Sequence, residues 1–312
     1  MASSVYRLDL TTLFCDIDDF WNEYECYCDL PLEGLRHRHI KRLSYSGKAK
    51  QYRSKLSLSE VMTIVVAFHS SGYRTFKDFY IRQVLADWQD EFPNLVSYNR
   101  FVELMPWSLF GLVHFLKTRM GQMSGVSFVD STPLEVCHPK RAHAHKTFKP
   151  LALWGKCSVG WYFGFKLHIV INDSGELIAL ALTPANTDDR KPIREMTKDL
   201  LGKLFGDRGY VSQALFEELF ERGLTFISKR KKKMKNTLVK LRDKILLRKR
   251  AIVESVNDQL KNICQIEHSR HRSRFNFLVN LLAGLIAYSY HPKKPSLQQP
   301  NFDRLALPEA IY

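Results

Sequence analysis

The sequence predicts a mixed α/β domain preceded by a helical region. Three observations carry that expectation. Up to about residue 120 the apolar residues recur at helical spacing. Beyond it, short β-branched runs alternate with helical stripes. Between the two lies the small, polar stretch "GQMSGV" (Gly121 to Val126), which reads as a boundary. The chain has 312 residues, 45% of them hydrophobic and 25% charged, enough for a sizeable core in an ordinary globular protein. The expected division is 1–121 helical, 122–291 α/β, and 292–312 a C-terminal tail.

In the first part, "LSLSEVMTIVVAFHSS" (Leu56 to Ser71) offers Ser57 as an N-cap with Glu60 three residues on, a capping-box pattern. A glycine turn, "SGYRTF", leads to a second helix over Phe76 to Trp88. A third helical region covers Asn94 to Met120, where Pro106 should break or kink the helix. Two helices joined by a short glycine turn suit either a helix-turn-helix DNA reader or a plain bundle; the bundle is the preferred reading.

In the second part, Val126 to Asp130 reads as a short buried strand that stops on a carboxylate, followed by "STP". Trp161 to Ile171 and Glu176 to Thr183 form a hairpin about the turn "NDSG". A helix is expected over about Lys191 to Leu201 and a strand over Leu204 to Asp207. A helix over Val211 to Gly223 follows, with Gly223 ending it, and then a strand over Leu224 to Ser228. A long basic helix from about Thr237 to Cys264 precedes an apolar helix over Phe277 to Tyr290. That apolar run is too short to span a bilayer comfortably. Strand, hairpin, helix, strand, helix, strand, helix is the element order of an RNase H-like domain. In open α/β sheets, neighbouring strands deliver the residues at their ends into one crevice.

Asp130 and Asp207 both stand where a strand is expected to end. If those strands are neighbours, two like charges converge and repel unless a cation neutralises them. Mg²⁺ or Mn²⁺ with oxygen ligands would do so, and pairs of such ions roughly 3.5–4 Å apart clamp the attacking and leaving oxygens of a phosphodiester. The basic helix offers a third acid, Glu254, with Arg250 four residues before it and Lys261 seven after, all on one α-helical face. Asp258 and Asp188 compete for the ligand role.

"FVDSTP", "GDRGY" and the spacing of Arg250, Glu254 and Lys261 resemble the DDE transposases of bacterial insertion sequences. The match is nearest to the nine-eighty-two family, in the group with a Y-R-E-K signature. The resemblance covers Val126 to about Tyr290. It implies that Asp130, Asp207 and Glu254 are the catalytic, metal-holding triad for two Mg²⁺ or Mn²⁺ ions, and that Arg250 and Lys261 contact DNA phosphates. The signature's tyrosine falls on Leu247, so Tyr210 is an expected substitute for its hydroxyl. The implied activity is binding of terminal inverted repeats, metal-dependent phosphodiester hydrolysis and strand transfer. A stand-alone RNase H-like nuclease and a non-catalytic transposase-derived DNA-binding protein are the alternatives. The implied partners are double-stranded DNA, as transposon ends and target, and a second copy of the chain in a synaptic homodimer. No membrane is involved; the expected location is the bacterial cytoplasm, at the nucleoid.

The charge agrees. The net charge is +15, and Lys229 to Arg250 contain twelve Lys or Arg against one acid, Asp243, so +11 of the total lies there. Such concentration favours a polyanion. Lys240, Lys244 and Arg248 form a cationic stripe, while Leu238, Leu241, Ile245, Ile252 and Val256 form an apolar one. Lys231, Lys232 and Lys233 belong to the run "KRKKKMK", expected to order on phosphate. A second basic segment, "HPKRAHAHKTFK" (His138 to Lys149), could flank the same crevice. Trp154, Trp161 and Tyr162 lie in or beside that segment; Trp154 is the better candidate for stacking on an unpaired base, whereas Trp161, within a strand, reads as core. Six cysteines show no C-x-x-C spacing and read as reduced thiols. Cys137, His138, His143 and His145 match no zinc pattern.

Overall fold

The computed structural model describes residues 8–27, 40–43, 49–52, 55–229, 240–267 and 271–297. Its N-terminal region holds α1 (Leu10–Tyr27), α2 (Leu58–Phe68), the short α3 (Phe76–Phe79) and α4 (Leu85–Asp87) joined by a π-helical turn, α5 (Tyr98–Leu104) and α6 (Leu109–Thr118). The capping box forms as expected: the Glu60 N–H donates to the Ser57 hydroxyl, and the Ser57 N–H to the Glu60 carboxylate. Pro106 converts the chain to a 3₁₀ turn, Met105–Ser108, because it cannot donate a helical hydrogen bond. The expected all-helical region needs one correction. Ile40–Leu43 (β1) and Ala49–Tyr52 (β2) pair as an antiparallel two-stranded ladder. Four-residue strands are too short for a period of two to stand out.

The sheet contains β3 (Val126–Cys137), β4 (Leu153–Cys157), β5 (Gly160–Asn172), β6 (Leu177–Pro184), β7 (Gly202–Gly206) and β8 (Leu224–Ser228). Its order is β4-β5-β3-β7-β8, with β6 on the same edge of β5 as β4. The strands β3, β4, β5 and β6 pair antiparallel; β3–β7 and β7–β8 pair parallel. The RNase H-like expectation thus holds, with β4 as an unforeseen addition. The β5–β6 turn is the expected one, with Gly175 at φ 73°.

A second correction concerns the opening strand. It does not stop on Asp130 but runs seven residues further, through Pro133, to Cys137. Beyond Phe128 its β7-facing edge has no partner, so a proline with no N–H is tolerated there while the other edge stays paired to β5.

Two layers cover the sheet. The helices α7 (Arg190–Met196) and α8 (Gln213–Glu221) pack on one face with Val129, Val170 and Leu204. The other face is covered by a larger core. There Phe128, Leu167 and Ile169 meet α10 (Ala251–Asp258), α11 (Arg274–Ser289) and the N-terminal helices. The basic helix is therefore not continuous. The helix α9 (Leu241–Arg248) ends before α10, and α10 passes into a π-helical turn, Gln259–Ile263. The expected apolar stripe of α9 is also corrected: Leu241 is exposed, while Asp243 and Leu246 are buried. Asp243 is drawn inward by an ion pair with Lys203 of β7. Leu238 lies outside the described residues.

The buried His69 caps α2. Its Nδ1–H donates to the Cys264 carbonyl, and its ring lies against Gly284 of α11, where a Cβ would stand 3.3 Å from Nδ1. Burial lowers His69 and its neighbour His271 to about 4. An unfolded chain takes up these protons near 6.5, so both groups support the fold above that pH and cost stability as pH falls toward 4. Thermal melts should show a loss of about 2–5 kcal/mol between pH 7 and pH 4.5, and His69→Gln, which keeps a donor, should make the curve shallower.

Candidate active site

The strands β3 and β7 are parallel neighbours, in the register Val126↔Lys203, Ser127↔Leu204 and Phe128↔Phe205. The offset is 205 − 128 = 77, the same as 207 − 130 = 77. Carried two residues past the last pair, that offset sets Asp130 against Asp207, which stands just beyond the end of β7, and the Asp207 charge is felt at Asp130. Phe128 and Phe205 stack below them, with ring centroids 5.4 Å apart. Gly206 lets the last β7 residue pass close by: a Cβ there would come within 2.9 Å of Val129 and 2.8 Å of Phe226.

The helix α10 lies against β3 and brings in the third acid. Arg250, just before α10, donates to Glu254 at 2.9 Å and stands 3.9 Å from Asp130. Asn257 donates from Nδ2 to Asp130 Oδ2 at 3.1 Å. Burial raises the Asp130 carboxyl to about 6; Arg250 opposes the rise, and the charges of Glu254 and Asp207 add to it. Asp130, Asp207, Glu254 and Arg250 thus share one electrostatic neighbourhood of three acids and one cation. Asp130 is 22% exposed, whereas Glu254, though paired with Arg250, is 58% exposed.

The donor set suits a hard cation, since it offers carboxylate oxygens from three elements and one orphaned buried amide oxygen, Asn257 Oδ1. Among the described residues no three His, Cys, Asp or Glu side chains are gathered closely enough to hold an ion together. Like charges keep apart, and Arg250 stands between Asp130 and Glu254 as their counter-charge. The same absence covers Cys137, His138, His143 and His145.

The other expected residues fall in several places. Asp258 is exposed and accepts from Asn262, and Asp188 pairs with Arg190, so neither joins the three acids. Lys240, Lys244 and Arg248 are exposed on α9. Lys261 lies in the π turn, where its amine pairs with Glu267 at 2.9 Å; that turn ends the single α-helical face expected for Arg250, Glu254 and Lys261. Lys231, Lys232 and Lys233 lie outside the described residues. Tyr210, expected to offer its hydroxyl to the DNA backbone, is instead buried, and burial drives its pKa far up, with the charges of Asp130 and Asp189 adding to the rise. Leu247 is packed against the main core. Trp161 is corrected in the opposite sense, being 62% exposed.

Two features escaped the sequence reading. Asn257 is one, although its spacing of three from Glu254 and seven from Arg250 places it on their helix face. The other is a polar cluster on the opposite face of β3. Asp189 accepts from Ser131 at 3.2 Å and Lys166 at 2.8 Å, and buried His168 donates to or accepts from Thr183 at 2.9 Å. Burial lowers His168 to about 4, so it is neutral at physiological pH. Nothing local in the sequence joins residues 131, 166, 168 and 189.

The electrostatics give a test in metal-free buffer. The folded state holds the Asp130 proton up to about 6, above the unfolded value, so its ionisation costs stability as pH rises through that range. Asp130→Asn should therefore be about 1–3 kcal/mol more stable than the parent at pH 8, with the difference closing by pH 4 in denaturant titrations.

Residues 120–274 match the family model of the transposase DDE domain. The cryo-EM structure of a piggyBac transposase synaptic complex with hairpin DNA aligns over 90% of this chain and 73% of its own. With a TM-score of 0.48 and 10% identity, that likeness is too distant to bear on the site. No curated protein gives a significant match. Asp130, Asp207, Arg250 and Glu254 all lie inside the matched residues, so the segment that builds this acidic cluster is the one that matches a transposase DDE domain.

Proposed function

We propose that the chain is a DNA transposase of an insertion sequence, of the bacterial nine-eighty-two type. It binds terminal inverted repeats, hydrolyses a phosphodiester at each end, and joins the freed 3′-hydroxyl to target DNA. The observation that supports this reading is that Asp130 feels the charges of Asp207, just past the end of the parallel neighbour β7, and of Glu254 on α10, inside a DDE domain match.

Asp130, Asp207 and Glu254 would hold one or two Mg²⁺ or Mn²⁺ ions. When bound, such ions activate the attacking oxygen and stabilise the leaving one. Asn257 fixes one oxygen of Asp130 and so orients the other into the cluster. Arg250 is four-fifths or more buried beside two acids and carries a guanidinium fork suited to phosphate. A phosphate arriving there exchanges carboxylate partners for its own oxygens, which frees Asp130 and Glu254 for a cation. The exposed Lys240, Lys244 and Arg248 supply sequence-independent attraction to the DNA backbone. Lys261 contributes once it leaves Glu267. Among the described residues no helix is long and apolar enough to cross a membrane. The reading places a homodimer on two DNA ends at the bacterial nucleoid.

The decisive assay incubates the protein with DNA bearing the element's ends and a target plasmid, in Mg²⁺, Mn²⁺ or EDTA. Nicked and joined products are expected only with metal. Cutting without joining would sink the transposase reading in favour of a plain nuclease. Asp130→Asn, Asp207→Asn and Glu254→Gln should each abolish both products while leaving affinity for end-bearing duplex within about threefold, because phosphate contacts dominate affinity. Full cleavage by any one of them removes that residue from the site.

A further inference from the structure

We propose that the β4–β5 hairpin is a second DNA contact, whose aromatic and cationic face receives unpaired bases away from the carboxylate cluster. This rests on the reading of the chain as acting on DNA. The cross-strand pairs are Trp154↔Phe163 and Lys156↔Trp161, and directly opposed residues share a face. Trp154, Lys156 and Trp161 therefore form one surface, with Trp154 44% and Trp161 62% exposed. The Lys156 amine lies over the Trp161 ring at 5.9 Å from its centroid. Val159, at the tip, is 95% exposed.

The hairpin is not a loose loop. At its root, a Cβ on Gly164 would come within 2.0 Å of the Leu134 carbonyl oxygen, and one on Gly155 within 2.6 Å of the Ala185 carbonyl oxygen. Both strands are thus seated against neighbouring backbone. Tyr162, on the reverse face, is buried. Two tryptophans and a valine displayed on a rigid mount waste apolar surface unless something covers them.

Charge identifies the occupant. Between Val136 and Asn172 there are six Lys or Arg and no Asp or Glu. Lys166 is taken by Asp189, but Lys140, Arg141, Lys146, Lys149 and Lys156 are exposed. Lys156 stands on the aromatic face itself, and the basic segment adjoins it through His145, whose ring centroid lies 6.5 Å from that of Phe163; cations beside aromatic rings fit a polyanion with stacking groups, and a second copy of the same basic face does not. Side chains at odd positions of β5 point one way, so Trp161 lies on the same face as Ile169, the partner of Asp130. Eight residues of strand put the two about 25 Å apart, or about seven base pairs of duplex. One strand of a bound DNA could therefore reach both.

The test uses the full chain in EDTA, without any cutting or joining, and measures fluorescence anisotropy with oligothymidine and with a plain duplex. Trp154→Ala combined with Trp161→Ala should weaken oligothymidine binding about tenfold or more and duplex binding less than about twofold, because phosphate contacts remain. Trp154→Phe with Trp161→Phe should retain most of the affinity. Val159→Asp, at a site too exposed to disturb folding, should weaken oligothymidine binding on its own. Oligothymidine affinity unchanged in both the Ala pair and Val159→Asp would overturn the proposal. So would a concentration-dependent dimer abolished by these variants while DNA binding is intact, which would assign the face to a second copy. Selective loss of oligothymidine binding, in a protein that never joins DNA, would sustain the hairpin site while the transposase reading fails.

Discussion

The parallel pairing of β3 with β7 is the constraint from which the rest follows. Three residue pairs hold it, from Val126↔Lys203 to Phe128↔Phe205, and each side chain beyond them inherits the same offset. A slip by one residue would turn one aspartate to the other face of the sheet, because side chains alternate with a period of two. The stacked Phe128 and Phe205 and the glycine at 206 hold that register through packing that a slipped pairing could not reproduce. That packing fixes the paired residues from which the chain runs on to Asp130 and Asp207.

Such an arrangement carries an electrostatic cost, and the chain meets it with its own cations. Arg250 stands against Asp130 and Glu254, and Asn257 donates to Asp130. Lys203, on the same β7 strand, pairs with Asp243 and holds α9 to the sheet. The helix carrying the exposed cations is therefore fastened by its one buried acid, so a basic surface and a packed helix are compatible. Burial first, and the charges of Glu254 and Asp207 after it, still leave the Asp130 carboxyl raised in spite of Arg250.

The N-terminal helices are joined to this chemistry by packing. They share a continuous core with α10, α11 and one face of the sheet. His69 at the end of α2 reaches the Cys264 carbonyl, just past the π turn that holds Lys261, and Tyr290 after α11 donates to Asp16 of α1. The helical region is thus tied to the segment after the π turn by a buried contact and to the end of α11 by a part-buried one. The hairpin formed by β4 and β5 stands at the other extreme, anchored at its root and bare at its tip.

By itself the sequence determined element types and several of their ends, because these depend on neighbours. The capping box at Ser57, the proline at 106, the turn at Asn172 to Gly175 and the stripe ending at Gly223 are all local chemistry. So is the R-x-x-x-E spacing, since an α-helix places residues four apart together; Arg250 and Glu254 do pair. What the sequence could not determine depends on long-range pairing. The strand through Asp130 continues because β5 supplies a partner for Pro133, which no local signal reveals. Tyr210 is buried and Trp161 exposed for the same reason: a tyrosine after a strand and a tryptophan within one look alike until the layers around them are known. Asp243 turns inward only because Lys203 lies there, forty residues earlier. Strand ends, helix spacing and a family resemblance named Asp130, Asp207 and Glu254; the pairing of β3 with β7, whose partners lie 77 positions apart, decided which ends of the sheet are neighbours.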